Sequence, residues 1–441
     1  MNNEIEYKDC LDYINSLMVY AKSGGDIGLN KIRYLCEIFG NPQKDFQTIH
    51  VAGTNGKGSA VAMLANIMSG AGHKTGRFIS PYIHEFTERI SIDNIDISKD
   101  DIVSYTNKIK NVLKSTHTSD DFMPNPFQFI TLMAFLYYKA QNCEIVVLET
   151  GLGGRLDPTN IVKSPLVSVI MQIGMDHMDV LGDTIEQIAR EKCGIIKENS
   201  AVVLYPLNEA SVIKIAEETA REKNCEFIMP NLNELKILEE DISRTVFEYK
   251  SRRYILGLIG KHQVYNAVTV IETADYLYNS SKSFVNYEVV RAALEKTRFP
   301  SRFEVISSKP LLIFDGAHNL QGIYALRDTI KNLLPNKKII LLCGMLIDKD
   351  PETLIRYIAD EDFVERFIAV PVDSPRAETA ENLCKIAAKY TDAITEQSVS
   401  VGDGLAQAVK LCEADCDNFA IVAFGSLYLA DEIRNAVQAF I

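Results

Sequence analysis

The chain has 441 residues, of which 47% are hydrophobic and 24% charged, and these values predict a soluble globular protein of two or three domains. Its formal net charge of -13 argues against a nucleic-acid-binding surface, although a few local Lys and Arg residues could still bind an anionic substrate. The start is polar and acidic, the apolar runs are too short to span a bilayer and the nine cysteines are scattered, so we expect a cytoplasmic protein with reduced thiols and no membrane partner.

Short apolar segments alternate with helical patterns such as Ser59–Met68 and Thr184–Lys192 in the first part of the chain. Buried strands that alternate with helices predict crossover connections and a mostly parallel sheet. The predicted strands are Thr48–Ala52, Arg77–Ile79, Ile145–Glu149, Leu166–Ile170 and Ala201–Leu204.

A hairpin is predicted after residue 231, with strands Thr245–Tyr249 and Tyr254–Leu258 joined by a turn at Lys250–Arg253. The segment Phe299-Pro-Ser-Arg302 then resembles a domain boundary. We expect an α/β protein with an N-terminal P-loop-type parallel-sheet domain, residues 1–298, and a smaller Rossmann-like domain, residues 299–441. Strands predicted in the second domain are Leu311–Phe314, Ile339–Cys343, Phe367–Val370 and Phe419–Phe424.

The strongest motif is His50-Val-Ala-Gly-Thr-Asn-Gly-Lys-Gly-Ser59, which a strand precedes and an Ala-rich helix follows. Glycines let backbone N–H groups converge on phosphate oxygens, and the helix N-terminus and Lys57 add positive charge. The strict P-loop pattern is not met, because Val51 stands at its first Gly and Gly58 follows the Lys. An ordinary Gly-rich turn is the alternative, but the strand–loop–helix context favours phosphate binding.

Polar residues also follow two other predicted strands of the first domain, where α/β sheets bind ligands. Glu149 ends one strand and could hold Mg²⁺ against bound phosphates, unless it only caps the next loop. His177, in Gly174-Met-Asp-His177, could contact a metal or a phosphate, although a lone His is more often a surface or core residue.

These motifs resemble the folylpolyglutamate synthase/dihydrofolate synthase family of Mur-type ligases, in the family's order and over nearly the whole chain. The resemblance implies that ATP is a co-substrate and that the compact loop binds it through Thr54, Asn55, Gly56, Lys57, Gly58 and Ser59.

The resemblance also implies two Mg²⁺ ions, held by Ser80, Glu149 and His177. Ser80 begins Ser-Pro-Tyr-Ile-His-Glu-Phe-Thr-Glu-Arg-Ile90, which is similar to a metal-binding family segment. Lys192, in Glu191-Lys-Cys-Gly-Ile-Ile-Lys197, matches a family lysine that is commonly carbamylated by CO₂, whereas a helical Lys in an ion pair is the plainer interpretation. We expect Lys57, Lys192 and His177 to be catalytic.

A folate pocket is implied by three further segments that are similar to family motifs. In the segment Asn125–Gln128, the acidic and hydroxyl groups of the family are absent, which leaves open whether dihydropteroate is a substrate. The implied pocket residues are Gly24, Gly25, Asp26, Ile27, Asn125, Pro126, Phe127, Gln128, Leu156, Asp157 and Pro158.

The remaining ATP contacts are implied for Asn266 with adenine and for Arg302, Asp315 and His318. A guanidinium suits a triphosphate because it is planar and multidentate. Asp315 can accept ribose hydroxyls. A linker arginine paired with Glu304 is the alternative interpretation of Arg302.

We therefore expect a monomeric ATP-dependent ligase that adds L-glutamate to folates through an acyl phosphate. Conversion of dihydropteroate to dihydrofolate is left open as a second activity. The nearest alternative is a Mur-type peptidoglycan amino-acid ligase, but only about fifty residues precede the phosphate loop, too few for a typical domain of about 100–150 residues. A nucleotide-binding switch without ligase chemistry would leave Glu149, His177 and Lys192 unexplained.

Overall fold

The structure is a computed structural model that describes residues 2–21, 29–413 and 415–440. The strands are β1 Gln47–Ala52, β2 Thr75–Phe78, β3 Ile90–Ile92, β4 Ile95–Asp96, β5 Ile145–Glu149, β6 Val167–Ile170, β7 Ala201–Leu204, β8 Glu226–Ile228, β9 Leu235–Glu240, β10 Thr245–Tyr249, β11 Arg252–Leu256, β12 Glu304–Ser308, β13 Leu311–Asp315, β14 Lys338–Cys343, β15 Val364–Ala369, β16 Ile394–Gln397 and β17 Phe419–Phe424.

The α-helices alternate with most of these strands. They are α1 Asn2–Ser16, α2 Asn30–Ile38, α3 Lys57–Gly70, α4 Lys99–Ser115, α5 Pro126–Ala140, α6 Met178–Leu181, α7 Ile185–Cys193, α8 Ala210–Glu222, α9 Lys261–Asn279, α10 Tyr287–Lys296, α11 Leu320–Leu333, α12 Pro351–Ala359, α13 Ala380–Ala387, α14 Val401–Glu413 and α15 Leu429–Phe440. In the described part of the chain, no helix is long and apolar enough to cross a membrane.

The chain divides into two compact units. The first comprises Met1–Leu235, Tyr249–Ser251 and Tyr265–Thr297, and the second comprises Lys236–Glu248, Arg252–Val264 and Arg298–Ile441. The assignment of residues 1–298 to an ATP-binding domain and of residues 299–441 to a ligase domain stays a prediction.

Eight described strands of the first unit form one sheet in the order β4-β3-β2-β5-β1-β6-β7-β8. β2, β5, β1, β6, β7 and β8 are parallel, and β3 and β4 add an antiparallel edge. Every residue of β5 is buried, as expected for a central strand covered on both faces. The register that pairs Val51 with Glu149 places the carboxyl ends of β1 and β5 at the same edge of the sheet.

In the second unit, six described strands form a sheet in the order β12-β13-β17-β14-β15-β16. β12 is antiparallel to β13, and the other neighbouring strands are parallel. A buried apolar cluster that includes Ile313, Leu341 and Phe424 forms the core around this sheet. The predicted α/β class, with mostly parallel sheets, is confirmed.

The predicted hairpin is present as β10 and β11, but its turn is two residues long, not four. Lys250 and Ser251 both have positive φ, 50° and 59°. Positive φ at both central residues is the geometry of tight hairpin turns whose twist matches that of the flanking strands. The strands β3, β4, β8, β9, β12 and β16 were not predicted.

Candidate functional site

The phosphate loop requires glycine at two positions. A Cβ added to Gly53 would lie 2.7 Å from the Cβ of Met171, and a Cβ added to Gly56 would lie 2.5 Å from Oδ1 of Asn266. Gly56 also has a φ of 80°, which L-residues with side chains rarely adopt. α3 begins at the next residue, Lys57, so its first N–H groups, which have no helical acceptor, lie at the end of the loop.

Hydrogen bonds connect the phosphate loop to the segment that follows β6. The backbone N–H groups of Thr54 and Asn55 donate to the carbonyl of Gln172 over 2.7 and 3.1 Å. The hydroxyl of Thr54 donates to the carbonyl of Gly174, and the N–H of Gly174 lies 3.0 Å from the same hydroxyl. The phosphate loop and the segment leading to His177 are therefore held together.

Glu149 lies beside the phosphate loop and is only 5% exposed. Its Oε1 is 4.0 Å from Nζ of Lys57, and its Oε2 accepts a hydrogen bond of 3.2 Å from the N–H of Ser80. Lys57 also donates to the carbonyl of Thr54 over 3.1 Å. Three predicted site residues, Lys57, Ser80 and Glu149, are thus brought together at the carboxyl ends of β1, β2 and β5.

His177 lies in the segment after β6, in a left-handed conformation with φ 51° immediately before α6. Its side chain is half exposed, and its Nε2 is 3.7 Å from Oδ2 of Asp176.

The donors present here suit Mg²⁺ only in combination with phosphates and water. Over residues 2–21, 29–413 and 415–440, no three His, Cys, Asp or Glu side chains are placed to hold a metal ion. Mg²⁺, however, usually keeps several waters and takes one or two carboxylates plus substrate phosphates. A serine hydroxyl at Ser80 and a carboxylate at Glu149, beside a phosphate loop, fit that requirement.

Lys192, near the end of α7, reaches the phosphate loop from a distant part of the sequence. It is 5% exposed, and its Nζ donates to the carbonyl of Gly53 over 2.8 Å. Burial, together with the positive charge of Lys57, lowers the pKa of Lys192 to about 7, although the carboxylates of Asp176 and Asp157 oppose the shift. A large fraction of this amine is therefore neutral, and nucleophilic, near pH 7.

The segment before α5 has a structural role that the sequence interpretation did not assign to it. Asn125 and Gln128 form a capping box, in which Gln128 N–H donates to Asn125 Oδ1 over 2.9 Å and Asn125 N–H donates to Gln128 Oε1 over 3.0 Å. Phe127 packs against the loop after β5, since a Cβ on Gly151 would lie 2.5 Å from its ring. The segment therefore adjoins the loop that begins at Glu149, and Pro126 is the first residue of α5.

Asp157 organises the loop after β5. Its Oδ2 accepts from the N–H groups of Gly151 and Leu152 over 2.8 and 2.9 Å, and its Oδ1 accepts from the N–H and hydroxyl of Thr159. The hydroxyl of Thr159 in turn lies 2.8 Å from Nε2 of the fully buried His50. Burial raises the pKa of Asp157, and these four hydrogen bonds oppose the rise.

Asp157→Asn is expected to reduce the free energy of unfolding by about 2 kcal/mol, because one carboxylate oxygen is replaced by an NH₂ group that faces N–H donors. Thermal unfolding followed by circular dichroism would measure the loss, with the exposed Asp183→Asn as a control. An unchanged midpoint in Asp157→Asn would contradict this account of the loop.

The other predicted folate residues have different outcomes. Leu156 is partly buried, and Pro158 begins the short 3-10 helix Pro158–Ile161. The predicted residues Gly24, Gly25, Asp26 and Ile27 lie outside the described residues.

Asn266 belongs to the first unit and lies against the phosphate loop at Gly56. It is 3% exposed. The predicted adenine contact of this side chain would therefore lie directly beside the predicted phosphate contacts of Gly56 and Lys57.

The second unit contains Arg302, Asp315 and His318 around the carboxyl end of β13. The half-buried Arg302 donates to the carbonyl of Ser301 over 3.0 Å, whereas Glu304 pairs with Arg434. Since Arg434 occupies that carboxylate, the alternative interpretation of Arg302 as a linker arginine paired with Glu304 loses its support.

Asp315 is buried, and its carboxylate accepts from the N–H groups of Phe303 and Ala317 over 2.7 and 2.8 Å. Burial raises the pKa of Asp315, and the positive charge of Arg302 opposes the rise. Nδ1 of His318 lies 2.7 Å from the carbonyl of Gly316, which requires that nitrogen to carry the proton.

Three neighbouring residues were not identified from the sequence. His50 lies inside an apolar strand. A polar residue at such a position indicates a buried side chain that needs a hydrogen-bond partner, and this could have identified it. Arg89 donates to the hydroxyl of Ser80 over 3.3 Å. His262, whose pKa is lowered to about 4 by burial and by Arg302, lies in the second unit within Gly260-Lys-His-Gln263.

Two family profiles match the chain, the Mur ligase middle domain over residues 51–274 and the Mur ligase glutamate ligase domain over residues 301–427. The dihydrofolate synthase/folylpolyglutamate synthase of Bacillus subtilis (strain 168) is 33% identical over 442 residues, which cover 98% of this chain and 99% of that protein.

Two solved structures of folylpolyglutamate synthases are similar over nearly their whole length. The enzyme from Thermotoga maritima has a TM-score of 0.83 and 30% identity, covering 99% of this chain and 98% of that one. The enzyme from Mycobacterium tuberculosis complexed with ADP has a TM-score of 0.87 and 26% identity, covering 98% of each chain. Peptidoglycan ligases share only the broader family. The chain belongs to the Mur ligase family, within its group of ATP-dependent folylpolyglutamate synthases and dihydrofolate synthases.

Proposed function

We propose that this chain adds L-glutamate to a folate in an ATP-dependent reaction that passes through an acyl phosphate. The observation that carries the proposal is the meeting of Lys57, Glu149 and Lys192 at the phosphate loop, in a chain related to folylpolyglutamate synthases. The ADP bound by the Mycobacterium tuberculosis relative supports ATP as the co-substrate.

The proposed reaction begins when a folate carboxylate oxygen attacks the γ-phosphorus of ATP, so that the bond to ADP breaks and an acyl phosphate forms. The amine of glutamate then attacks the acyl carbon, loses a proton and expels inorganic phosphate. Lys57 lies where it can stabilise charge on the transferring phosphoryl group.

Ser80, Glu149 and His177 would hold Mg²⁺, with two ions predicted, and the metal would neutralise charge on the ATP phosphates. The contact between Glu149 and Ser80 supports this assignment for two of the three residues. His177 lies on the segment to which Thr54 is hydrogen-bonded, which supports its inclusion.

Lys192 is proposed to carry a carbamate. Its buried amine has a pKa of about 7, and the neutral amine is the form that attacks CO₂. As an ammonium, Lys192 repels Lys57; as a carbamate, it would attract Lys57 and become a negative group beside the phosphate loop. The modification would therefore remove an unfavourable charge pair.

For the nucleotide we propose adenine contact by Asn266, and contact of Arg302, Asp315 and His318 with the ribose and phosphates. Each oxygen of Asp315 accepts one backbone hydrogen bond and has a second lone pair for a ribose hydroxyl. A monomeric state stays a prediction.

The experiment that tests the function combines enzyme, Mg-ATP and labelled glutamate with tetrahydrofolate, dihydropteroate or a peptidoglycan precursor. Phosphate release that requires both glutamate and a folate, with a glutamylated product identified by mass spectrometry, is the expected result. Ligation to the peptidoglycan precursor alone would contradict the proposal.

We further predict that glutamate addition to tetrahydrofolate is more efficient than conversion of dihydropteroate. Gln128 replaces an acidic family residue, and its amide oxygen already accepts from Asn125. Gln128→Glu should preserve the capping box, since Glu also serves at that position, and should raise kcat/KM for dihydropteroate about tenfold relative to tetrahydrofolate.

The matched control for this prediction is Gln187→Glu, which makes the same change at the same position of the capping box of α7, outside the implied pocket. It should leave the ratio of the two kcat/KM values near that of the wild type. Equal or greater wild-type efficiency with dihydropteroate would show that the substitution at Gln128 does not restrict the substrate.

A further inference from the structure

A cavity of about 1030 Å³ lies in the first unit, away from the phosphate loop. Its lining includes Thr48 near the start of β1, Ser164 shortly before β6, and Lys197 and Glu198 shortly before β7. These are the amino ends of parallel strands, whereas the phosphate loop follows the carboxyl end of β1. The cavity is therefore not the nucleotide site.

The cavity is strongly basic, although the protein as a whole is acidic. Seven of its lining side chains are Lys or Arg and two are Glu, in a chain whose net charge is -13. Lys223 is 3.8 Å from Glu198. Lys44 and Lys163, in contrast, pair with no carboxylate among the described residues. Unpaired cations around a concave surface produce a focused positive potential that attracts anions.

The size of the cavity suits a ligand larger than a single small ion. Cavities of about 300–1,000 Å³ typically bind drug-sized organic molecules, and this one is at the upper end of that range. Phe46, Ile161 and Ile196 provide apolar surface among the cations. An extended organic anion could contact both the cations and the apolar surface.

Two buried amide side chains favour an extended anion that also carries hydrogen-bond donors. Gln43 and Asn160 line the cavity, and the Oε1 and Oδ1 atoms of these side chains have no hydrogen-bond partner among the described residues. Asn160 cannot simply be flipped, because its Nδ2 donates to the carbonyls of Arg155 and Gly194. Amide oxygens require donors, which a polyphosphate lacks in its fully ionised form, but the N–H groups of a peptide supply them.

We infer that this cavity binds a poly-γ-glutamate chain, with its carboxylates on the Lys and Arg side chains and its amide N–H groups available to Gln43 and Asn160. The inference rests on the proposed function, since such a chain is the part of the product that the proposed ligase builds. The partly buried Lys197 donates weakly to the carbonyl of Asn160, over 3.5 Å, and would gain a carboxylate partner. Burial and the charge of Lys223 lower the pKa of Lys197 to about 8, which a bound carboxylate would oppose.

Calorimetric titration of the full-length protein with tetra-γ-L-glutamate at low ionic strength tests the inference without requiring ligation. Binding to the wild type should be unaffected by saturating Mg-ADP and should weaken as salt is added. The double variant Lys44→Ala/Lys163→Ala should bind at least about tenfold more weakly, because two charge-assisted contacts are lost. Lys214→Ala/Lys385→Ala, which removes two exposed lysines outside the cavity, should bind within about twofold of the wild type.

Three results would overturn the inference. They are absence of tetra-γ-glutamate binding to the wild type, equal weakening in both double variants, and binding of tripolyphosphate at least as tight as that of tetra-γ-glutamate. Thermal unfolding of both variants confirms that they are folded. Because the titration contains neither ATP nor folate, a failed ligase assay with intact binding would count against the proposed function and not against this site.

Discussion

Lys57→Ala is expected to lower kcat/KM for glutamate addition by about 10²–10³-fold while the protein stays folded. Removing one preorganised donor from a developing charge costs about 2.7–4 kcal/mol in other enzymes. Lys57 lies in the first turn of α3 at the phosphate loop, only 16% exposed, so its charge acts in a partly desolvated site.

The fold should tolerate this change because Lys57 contributes little to it. Its ammonium makes one hydrogen bond of 3.1 Å to the carbonyl of Thr54 and lies 4.0 Å from Glu149. Initial rates of phosphate release, with tetrahydrofolate and glutamate as substrates, measure the effect on catalysis. Thermal unfolding measures the effect on stability.

Two further variants separate charge from side-chain length at this position. Lys57→Met keeps the length without the charge and should be as inactive as Lys57→Ala. Lys214→Ala, which removes an exposed lysine outside the loop, should keep full activity in the same assay. Near-wild-type turnover in folded Lys57→Ala would remove Lys57 from the proposed mechanism.

The phosphate loop could be predicted from the sequence because its determinants are local. A buried strand, glycines at 53 and 56, and a helix beginning at Lys57 lie within a few residues of one another, and each has a distinct pattern. The approach of Lys192 to Gly53 joins residues 139 positions apart, so no local pattern contains it. Only the family resemblance suggested it.

The predicted folate-binding segments show a second limit of prediction from sequence. Asn125, Gln128 and Asp157 were assigned to a ligand, and this stays a prediction. In the structure Oδ1 of Asn125, Oε1 of Gln128 and the carboxylate of Asp157 also accept hydrogen bonds from nearby backbone N–H groups. Buried polar groups must be paired, and local backbone groups are the nearest partners. The spacing Asn-x-x-Gln before an apolar helix was a recognisable capping signal.

Short edge strands were missed for a related reason. β3 is three residues long and β4 is two, and each depends on pairing with its neighbour more than on its own composition. Strands such as β5 and β17 are long, apolar and central, so they were predicted at their observed bounds.

Lys192→Ala is expected to be nearly inactive, because the proposed carbamate would be lost from beside the phosphate loop. Its activity should be restored in part by added short carboxylates such as acetate, which can supply a negative charge in the space that the side chain leaves. Acetate should not restore Lys57→Ala, which lacks a positive charge. Full activity in folded Lys192→Ala would refute a catalytic role for this lysine.

The carbamate itself can be observed by ¹³C NMR after addition of ¹³C-bicarbonate. The wild type should show one carbamate signal that Lys192→Ala lacks. Lys197→Ala is the matched control, since Lys197 is a second partly buried lysine with a lowered pKa, about 8, and its removal should leave the signal intact. A signal that persists in Lys192→Ala would assign the modification elsewhere, and its absence from the wild type would refute the modification.

The carbamylation of Lys192 should depend on pH in a definite direction. Burial favours the neutral amine of Lys192, and the neutral fraction rises as the pH rises through about 7. Only the neutral amine attacks CO₂, so CO₂-depleted enzyme should be activated more rapidly at pH 8 than at pH 6 when the concentration of dissolved CO₂ is held the same at both pH values. A lysine with an unshifted pKa of 10.5 would instead remain almost wholly protonated at both values, and its rate of activation would rise in proportion to hydroxide across the whole range. A rate that levels off in this range would therefore show that the modified amine has a lowered pKa, and the ¹³C signals of the Lys192→Ala and Lys197→Ala variants would distinguish the two lysines.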